Sequence, residues 1–285
     1  MDERLRRIAS IANDLAYGDE SQTQRYINGA PHIKHAPLRM LYGELVLQVY
    51  DAVSRHTTTP RVLDLGAGEG SVTLPFLELG AHVLAVDLSA SQLDVLRQKC
   101  SHLKDRLEVR QQDIYETLKD NGQKFDIIAG NSFLHHIPDY LSLIRQAAPL
   151  LTPHGVFFSF QDPLRYDSVG LPTRMLTDTA YLFWRMSLGS KGDVIGGVRR
   201  RLRRRRGVYL EDCYQDNAEY HVVRNGVDQN AIVELFQSLG YECRVVSYFS
   251  TQNSLLQPVG AALGMKNTFS VIAHKAEPGT APAAN

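Results

Sequence analysis

An α/β fold, with a parallel sheet flanked by helices, is what this chain predicts, and three observations carry the prediction. Short apolar runs alternate with segments of helical period from Arg61 to Phe160. The first of these runs ends in the glycine-rich segment Gly66-Ala67-Gly68-Glu69-Gly70. After a long interruption, one more helical segment and two more apolar runs follow, which brings the strand total to seven.

The elements follow in order. Leu5, Ile8, Ile11, Ala12 and Leu15 recur at helical spacing, so residues 3–16 read as an amphipathic helix. Residues 18–37 are polar and broken by Gly18, Gly29, Pro31 and Pro37, and a second helix is expected from Leu38 to Val53. Arg61–Leu65 reads as a buried strand running into a tight turn, Ser71–Leu79 as a helix and Ala81–Val86 as a strand. Ser89, with Gln92 three residues on, has the form of a capping box and opens a helix reaching about Cys100. Leu107–Arg110 and Phe125–Ala129 read as strands, Tyr140–Leu150 as a helix and Gly155–Phe160 as a strand. The pattern stops at Pro163 and resumes with a helix at Asp228–Leu239 and strands at Tyr241–Tyr248 and Thr268–His274.

This divides the chain into a helical N-terminal cap (1–59), a core made of 60–163 and 228–275, an insertion (164–227) and a disordered tail (276–285). An insertion of about sixty residues is too long for a bare loop and reads as a mostly helical lid.

Composition narrows the function classes. Formal net charge is zero, so global charge points to neither a nucleic acid nor a membrane. Residues 164–207, however, hold eleven Lys/Arg against three Asp/Glu, and seven of the arginines fall in Arg199–Arg206. The bland reading of that run is a solvated basic segment. Cys100, Cys213 and Cys243 are odd in number and widely spaced, which gives neither a disulfide framework nor a metal pattern, and no metal is expected. No apolar stretch approaches ~18 residues and no signal peptide is read, so the expectation is a cytoplasmic protein without a membrane partner.

The chemistry concentrates at the first glycine turn. Glycines there let the chain turn sharply and let a ligand lie against bare peptide at the carboxyl edge of the sheet. Asp87 ends the next strand, seventeen residues after Gly70, where a carboxylate can accept both hydrogen bonds of a ribose diol. That geometry serves NAD as well as other adenosine cofactors. The spacing here is G-x-G-x-G rather than the G-x-G-x-x-G of a pyrophosphate site, and acidic Glu69 beside the helix start would repel a pyrophosphate.

These segments resemble the motifs of class I S-adenosylmethionine-dependent methyltransferases. Val62–Gly70 resembles the first motif, Asp87-Leu88-Ser89 the ribose-binding motif, and Gln112-Asp113-Ile114 the turn that meets the adenine. Phe125–Ile128, followed by Asn131-Ser132-Phe133-Leu134-His135-His136-Ile137-Pro138-Asp139, resembles the fourth strand and loop of the small-molecule branch. Leu150–Gly155 resembles the turn before the fifth strand. The resemblance covers residues 60–163 well, the last two strands loosely and the caps hardly at all.

What it implies is a Rossmann-like, seven-stranded, mostly parallel sheet with S-adenosylmethionine as cofactor. Asp64 would orient the methionine ammonium, and Gly66, Ala67 and Gly68 would pass beneath the methionine and ribose. Leu88 would pack on the adenine, Asp113 and Ile114 would fix its edge, and Asn131 would lie beside the methionine portion. Tyr17 and Tyr26 are the candidates for an N-terminal tyrosine that closes over the donor, where a ring face near a sulfonium is favourable.

A hydroxyl acceptor needs a general base, whereas a free amine can do without one. His135, His136 and His221 are the candidates, with His32 and His35 in the cap behind them. Asn131-Ser132-Phe133-Leu134 breaks the pattern of enzymes that methylate exocyclic amino groups of nucleic acids, and no cysteine follows a proline as cytosine C5 chemistry requires. The expected partner is therefore a small-molecule acceptor, in a secondary-metabolite tailoring step, with Tyr181, Phe183, Trp184 and Met186 supplying apolar walls from the insertion. Nucleic acid is disfavoured, and the N-terminal helix is a candidate surface for pairing two copies. The alternatives are an RNA or protein methyltransferase that uses Arg199–Arg206, or an NAD-type or non-catalytic nucleotide-binding protein.

Overall fold

The computed structural model describes residues 30–119, 122–187, 199, 203 and 220–276. The expected helix over 3–16, Tyr17, Tyr26, Cys213, all but two of the arginines of the 199–206 run, and the tail beyond Ala276 lie outside the described residues.

The helices and strands are α1 (Pro31–Lys34), α2 (Ala36–Ser54), β1 (Arg61–Leu65), α3 (Thr73–Glu78), β2 (His82–Asp87), α4 (Ala90–Lys99), β3 (Leu107–Gln111), α5 (Ile114–Lys119) and β4 (Phe125–Asn131). They continue with α6 (Tyr140–Ala147), β5 (Leu151–Pro163), α7 (Leu171–Ser187), α8 (Tyr220–Val223), α9 (Gln229–Ser238), β6 (Tyr241–Tyr248), α10 (Leu256–Ala262) and β7 (Thr268–Lys275).

The seven strands form one sheet in the order β3-β2-β1-β4-β5-β7-β6. β1 to β5 run parallel, and β7 is antiparallel to both β5 and β6. Strand order reverses between β1 and β4, so their carboxyl ends diverge and leave a crevice, where open α/β sheets bind ligands.

Side-chain alternation explains why both faces are covered. Leu63, Leu65, Leu84, Val86, Ile128 and Phe157 pack on one face against α5, α6 and α9. Val62, Val83, Ala85, Ile127, Ala129, Val156 and Phe158 pack on the other against α2, α3 and α4. Continuous apolar strands of this kind are stable only when sandwiched. On α2, Leu38, Tyr42, Leu45, Val46, Val49 and Val53 recur at helical spacing and are all buried, and full burial of each aliphatic side chain is worth roughly 1.5–3 kcal/mol.

Caps set several helix starts. Asp139 accepts from Ser142 N at 3.0 Å, and Asp228 accepts from Asn230 N and Ala231 N, both at 3.1 Å. Ser89 accepts from Gln92 N at 3.4 Å, but the Ser89 amide donates to Asp87 Oδ1 instead. The expected box thus keeps its forward half, and its other half is taken over by the acid that ends β2.

β5 exceeds the expected Gly155–Phe160 at both ends and is irregular where it meets β7, between Ser159 and Asp162. The insertion leaves and rejoins the core side by side: Leu164 bridges Val227, and Val227 N donates to the Pro163 carbonyl at 3.0 Å. Its described part is helical, as α7 and α8. Just after β7, Ala276 N donates to the Gly240 carbonyl.

Candidate active site

A cleft of about 950 Å³, open to solvent, lies over the carboxyl ends of β1, β2 and β4. Gly66, Ala67, Gly68, Asp87, Leu88, Ile114 and Asn131 line it, which brings together most of the residues expected around the donor. Glu69, Ser71, Gln92, Ser132 and Phe133 also contribute, and His136 and Ile137 wall one side.

The glycine turn is held from below. Gly66 N and Ala67 N both donate to the Val86 carbonyl at 3.0 Å, which fastens the turn to β2. Gly66 has φ +69°, and a Cβ there would stand 2.5 Å from Phe133 Cδ2. Only glycine accepts both that backbone and that ring.

Asp87 is bound into the same turn. Its Oδ2 accepts from Gly68 N and its Oδ1 from Ser89 N, both at 2.8 Å. Each carboxylate oxygen has a further lone pair, so the acid can still receive ribose hydroxyls while its orientation stays fixed.

Asp64 is fully buried on β1, beneath the cleft rather than on its wall. Thr73 Oγ1 donates to its Oδ2 at 2.6 Å, while Oδ1 has no hydrogen-bond partner among the described residues. Burial pushes its carboxyl up to about 7; Asp87 and Glu69 push the same way, and the Thr73 bond opposes them. Asn131 Oδ1 is also buried, with no partner among the described residues. Two orphaned acceptors, one under the cleft and one in its wall, suit a cationic ammonium group. The site therefore fits the amino-acid end of S-adenosylmethionine as well as its adenosine.

Glu69 corrects one step of the sequence argument. It is only 4% exposed, and it bonds to Lys99 Nζ and Ser71 Oγ. Its charge is met by a lysine, so repulsion of a pyrophosphate does not follow from Glu69. The turn spacing carries the distinction alone.

Asp113 does not line the cleft. Its Oδ1 accepts from Tyr115 N at 2.7 Å and starts α5, while its neighbour Ile114 is the lining residue.

The three candidate bases separate. His136 is on the cleft wall. His135 is buried behind it, with Nδ1 2.9 Å from Asp162 Oδ1, and the ring centroids of His135 and His136 are 4.0 Å apart. His221 Nε2 is 3.0 Å from the Ile137 carbonyl, and burial lowers its pKa to about 4. A nitrogen that donates to a carbonyl carries its proton and is not a base, so His221 is placed to hold the loop rather than to face the cleft.

Among the described residues, two that are not glycine have left-handed backbones, Ser132 (φ 55°) and Gln161 (φ 69°), and both sit at this edge of the sheet. Ser132 N donates to the Phe160 carbonyl at 2.7 Å, tying the loop after β4 to β5. Among the described residues of the insertion, none lines the cleft. Tyr181 and Trp184 instead pack on each other at 5.9 Å, with Arg185 over both rings.

His32, a lesser candidate base in the sequence reading, meets the site through Asn131 instead. It lies on α1, 3% exposed, with Nε2 3.0 Å from Asn131 Nδ2 and 3.5 Å from Ser71 Oγ. Nothing in the sequence marks that pairing, because the contact spans 99 positions. Phe133 lines the cleft without an assigned role in the sequence reading, and Gln92, read there only as part of a capping box, lines it too.

Among the described residues, no helix is long and apolar enough to cross a membrane.

Residues 62–155 match the family described as a methyltransferase domain. A ubiquinone biosynthesis O-methyltransferase of Actinobacillus pleuropneumoniae serotype 7 is 33% identical over 102 residues, which is 34% of this chain and 44% of that protein. One from Coxiella burnetii (strain Dugway 5J108-111) is 37% identical over 99 residues, 34% of this chain and 42% of that protein. The match thus spans less than half the length of these curated relatives. Over nearly the whole chain, the fold is shared with magnesium protoporphyrin IX methyltransferase from Synechocystis PCC 6803 with bound S-adenosylmethionine: TM-score 0.53, 15% identity, 94% of this chain and 97% of that one. The plantazolicin methyltransferase BamL, in complex with S-adenosylhomocysteine, has a TM-score of 0.56 at 12% identity, covering 96% and 97%. With the glycine turn, the acid ending β2 and the cleft at the switch point, residues 62–155 carry a methyltransferase domain.

Proposed function

We propose that this protein transfers the methyl group of S-adenosylmethionine to a hydroxyl of a small organic acceptor, in a secondary-metabolite tailoring step. The observation that carries this reading is Asp87, fixed by Gly68 N and Ser89 N on the wall of a cleft that also exposes the glycine turn. The O-methyltransferase names of the curated relatives support the hydroxyl acceptor. The core residues 60–163 and 228–275 do the chemistry in this reading, and the insertion 164–227 covers the acceptor.

Asp87 would receive the ribose hydroxyls, Leu88 and Ile114 would flank the adenine, and Asp64 with Asn131 would face the ammonium. When bound, S-adenosylmethionine supplies an electrophilic methyl carbon, so the chain's main task is to hold the acceptor oxygen in line with it. Phe133 and Ile137 offer apolar contact on the cleft wall, and His136, also on that wall, would take the hydroxyl proton on an imidazole nitrogen.

Titration calorimetry with S-adenosylhomocysteine and with NAD tests the donor assignment. Binding of the first and not the second is expected. Tight NAD binding would overturn it.

A further inference from the structure

We infer that His32 is a positioning residue for the donor: it orients the Asn131 amide so that Oδ1 is the atom offered to the donor's ammonium group. The inference rests on the donor site proposed above and assigns a role to a residue outside the motifs.

The argument begins with the amide. Asn131 Nδ2 has hydrogens and no lone pair to offer, so the 3.0 Å contact requires His32 Nε2 to accept. Nε2 is then unprotonated, and the proton of a neutral ring is on Nδ1. Burial lowers the His32 pKa to about 4, with Glu69 pulling the other way, so the neutral ring persists at neutral pH. The shorter contact decides the tautomer: Ser71 Oγ, at 3.5 Å from Nε2, gives its hydrogen to Glu69 and has none to offer the ring, so that longer contact is not a hydrogen bond to an unprotonated Nε2. Glu69 is met by Lys99, Nδ1 has no partner among the described residues, and Tyr42 and Phe160 pack edge-on against the imidazole at 5.9 and 6.2 Å. Tyr42 also donates its hydroxyl to the Ser71 carbonyl at 2.7 Å, so α2 fastens the same corner.

With Nδ2 committed to His32, the other end of the planar amide is the acceptor. Among the described residues Asn131 Oδ1 is buried without a partner. A ligand ammonium in the cleft would supply the donor that this oxygen lacks. Turned over, the amide would present N–H groups to a cation and repel it. His32 thus sets the sign of the amide toward the ligand through one hydrogen bond.

The test uses two probes and two variants. S-adenosylhomocysteine carries the ammonium, whereas 5′-methylthioadenosine keeps the adenosine and sulfur without it. His32→Leu removes the acceptor nitrogen and keeps the site filled. His32→Gln can bring a carbonyl oxygen to the place of Nε2. By calorimetry, His32→Leu should weaken S-adenosylhomocysteine about tenfold and leave methylthioadenosine within twofold, with His32→Gln restoring most of the loss. Equal loss for both probes would make His32 merely structural and overturn the inference, as would no loss for either or failure of the Gln variant to rescue. A parent protein that binds neither probe would refute the donor-site reading itself. That outcome is distinct, because the His32 inference alone fails only in a parent that binds.

Discussion

Donor binding should depend on pH through Asp64, and the dependence can be worked out in advance. The carboxyl is fully buried, one oxygen bonded to Thr73 and the other without a partner among the described residues, and burial raises its pKa to about 7. Only the ionised form attracts an ammonium group. The ionised fraction is about one half at pH 7 and about 3% at pH 5.5, so S-adenosylhomocysteine affinity should fall roughly 15-fold over that interval. Above pH 8 the profile should flatten. At pH 7, binding should release about half a proton, seen as a dependence of calorimetric heat on the ionisation enthalpy of the buffer. The sign for stability runs the opposite way. A carboxyl whose folded pKa is raised stabilises the fold below its unfolded value of about 3.8, and that contribution is lost as pH rises through about 7. The full loss is of order 4 kcal/mol, and a bound ammonium should return part of it. Asp64→Asn should bind S-adenosylhomocysteine weakly and without pH dependence, and 5′-methylthioadenosine should show none in either protein. An affinity for S-adenosylhomocysteine that stays flat between pH 5.5 and 8 would refute the reasoning.

Three further outcomes are expected. Asp87→Ala should weaken S-adenosylhomocysteine and methylthioadenosine alike by ~1.5–3 kcal/mol, the range for a hydrogen bond to a charged group, and calorimetry that finds normal binding would remove Asp87 from the site. His136→Ala should lower methyl transfer to a phenolic acceptor ~10²–10⁴-fold with donor affinity unchanged, while His221→Ala should cost about 1 kcal/mol in thermal unfolding and leave turnover within a few-fold; the reverse pattern would move the base to His221. Gly66→Ala should destabilise the protein by at least ~1–2 kcal/mol in urea unfolding, from the left-handed backbone alone, with the Phe133 contact adding to it; an unchanged midpoint would mean the turn relaxes freely.

The parallel core was legible because its cause is local. Strands such as Val62–Leu65 and Val83–Val86 must be apolar throughout when both sheet faces are covered, and the turn after β1 must be glycine where a ring lies 2.5 Å from the would-be Cβ. Asp87 was legible for the same reason: the acid sits at the strand end whose neighbours it caps. Helix α10 escaped because Pro258 and Gly260 look like breakers in isolation. In the fold, Gly260 packs against the Phe249 ring so closely that a Cβ would stand 2.2 Å from it, and Asn253 Oδ1 accepts from Leu255 N and Leu256 N at 3.0 Å. Tertiary contact thus overrides propensity there.

The candidate site divides along the same line. Its adenosine side is built from backbone turns and strand ends, which leave a spacing in the sequence. Its ammonium side and the wall bearing His136 are built from long-range pairs: His32 with Asn131, His135 with Asp162, and Ser132 with the Phe160 carbonyl. Such pairs leave no spacing, because each partner is fixed by a different element. Three equivalent-looking histidines in the sequence therefore become three different things in the fold. One lines the cleft, one is bonded to a buried aspartate, and one gives its nitrogen to a backbone carbonyl. In the proposed reading the acceptor is chosen on this wall, where a residue's role depends on what the fold places behind it.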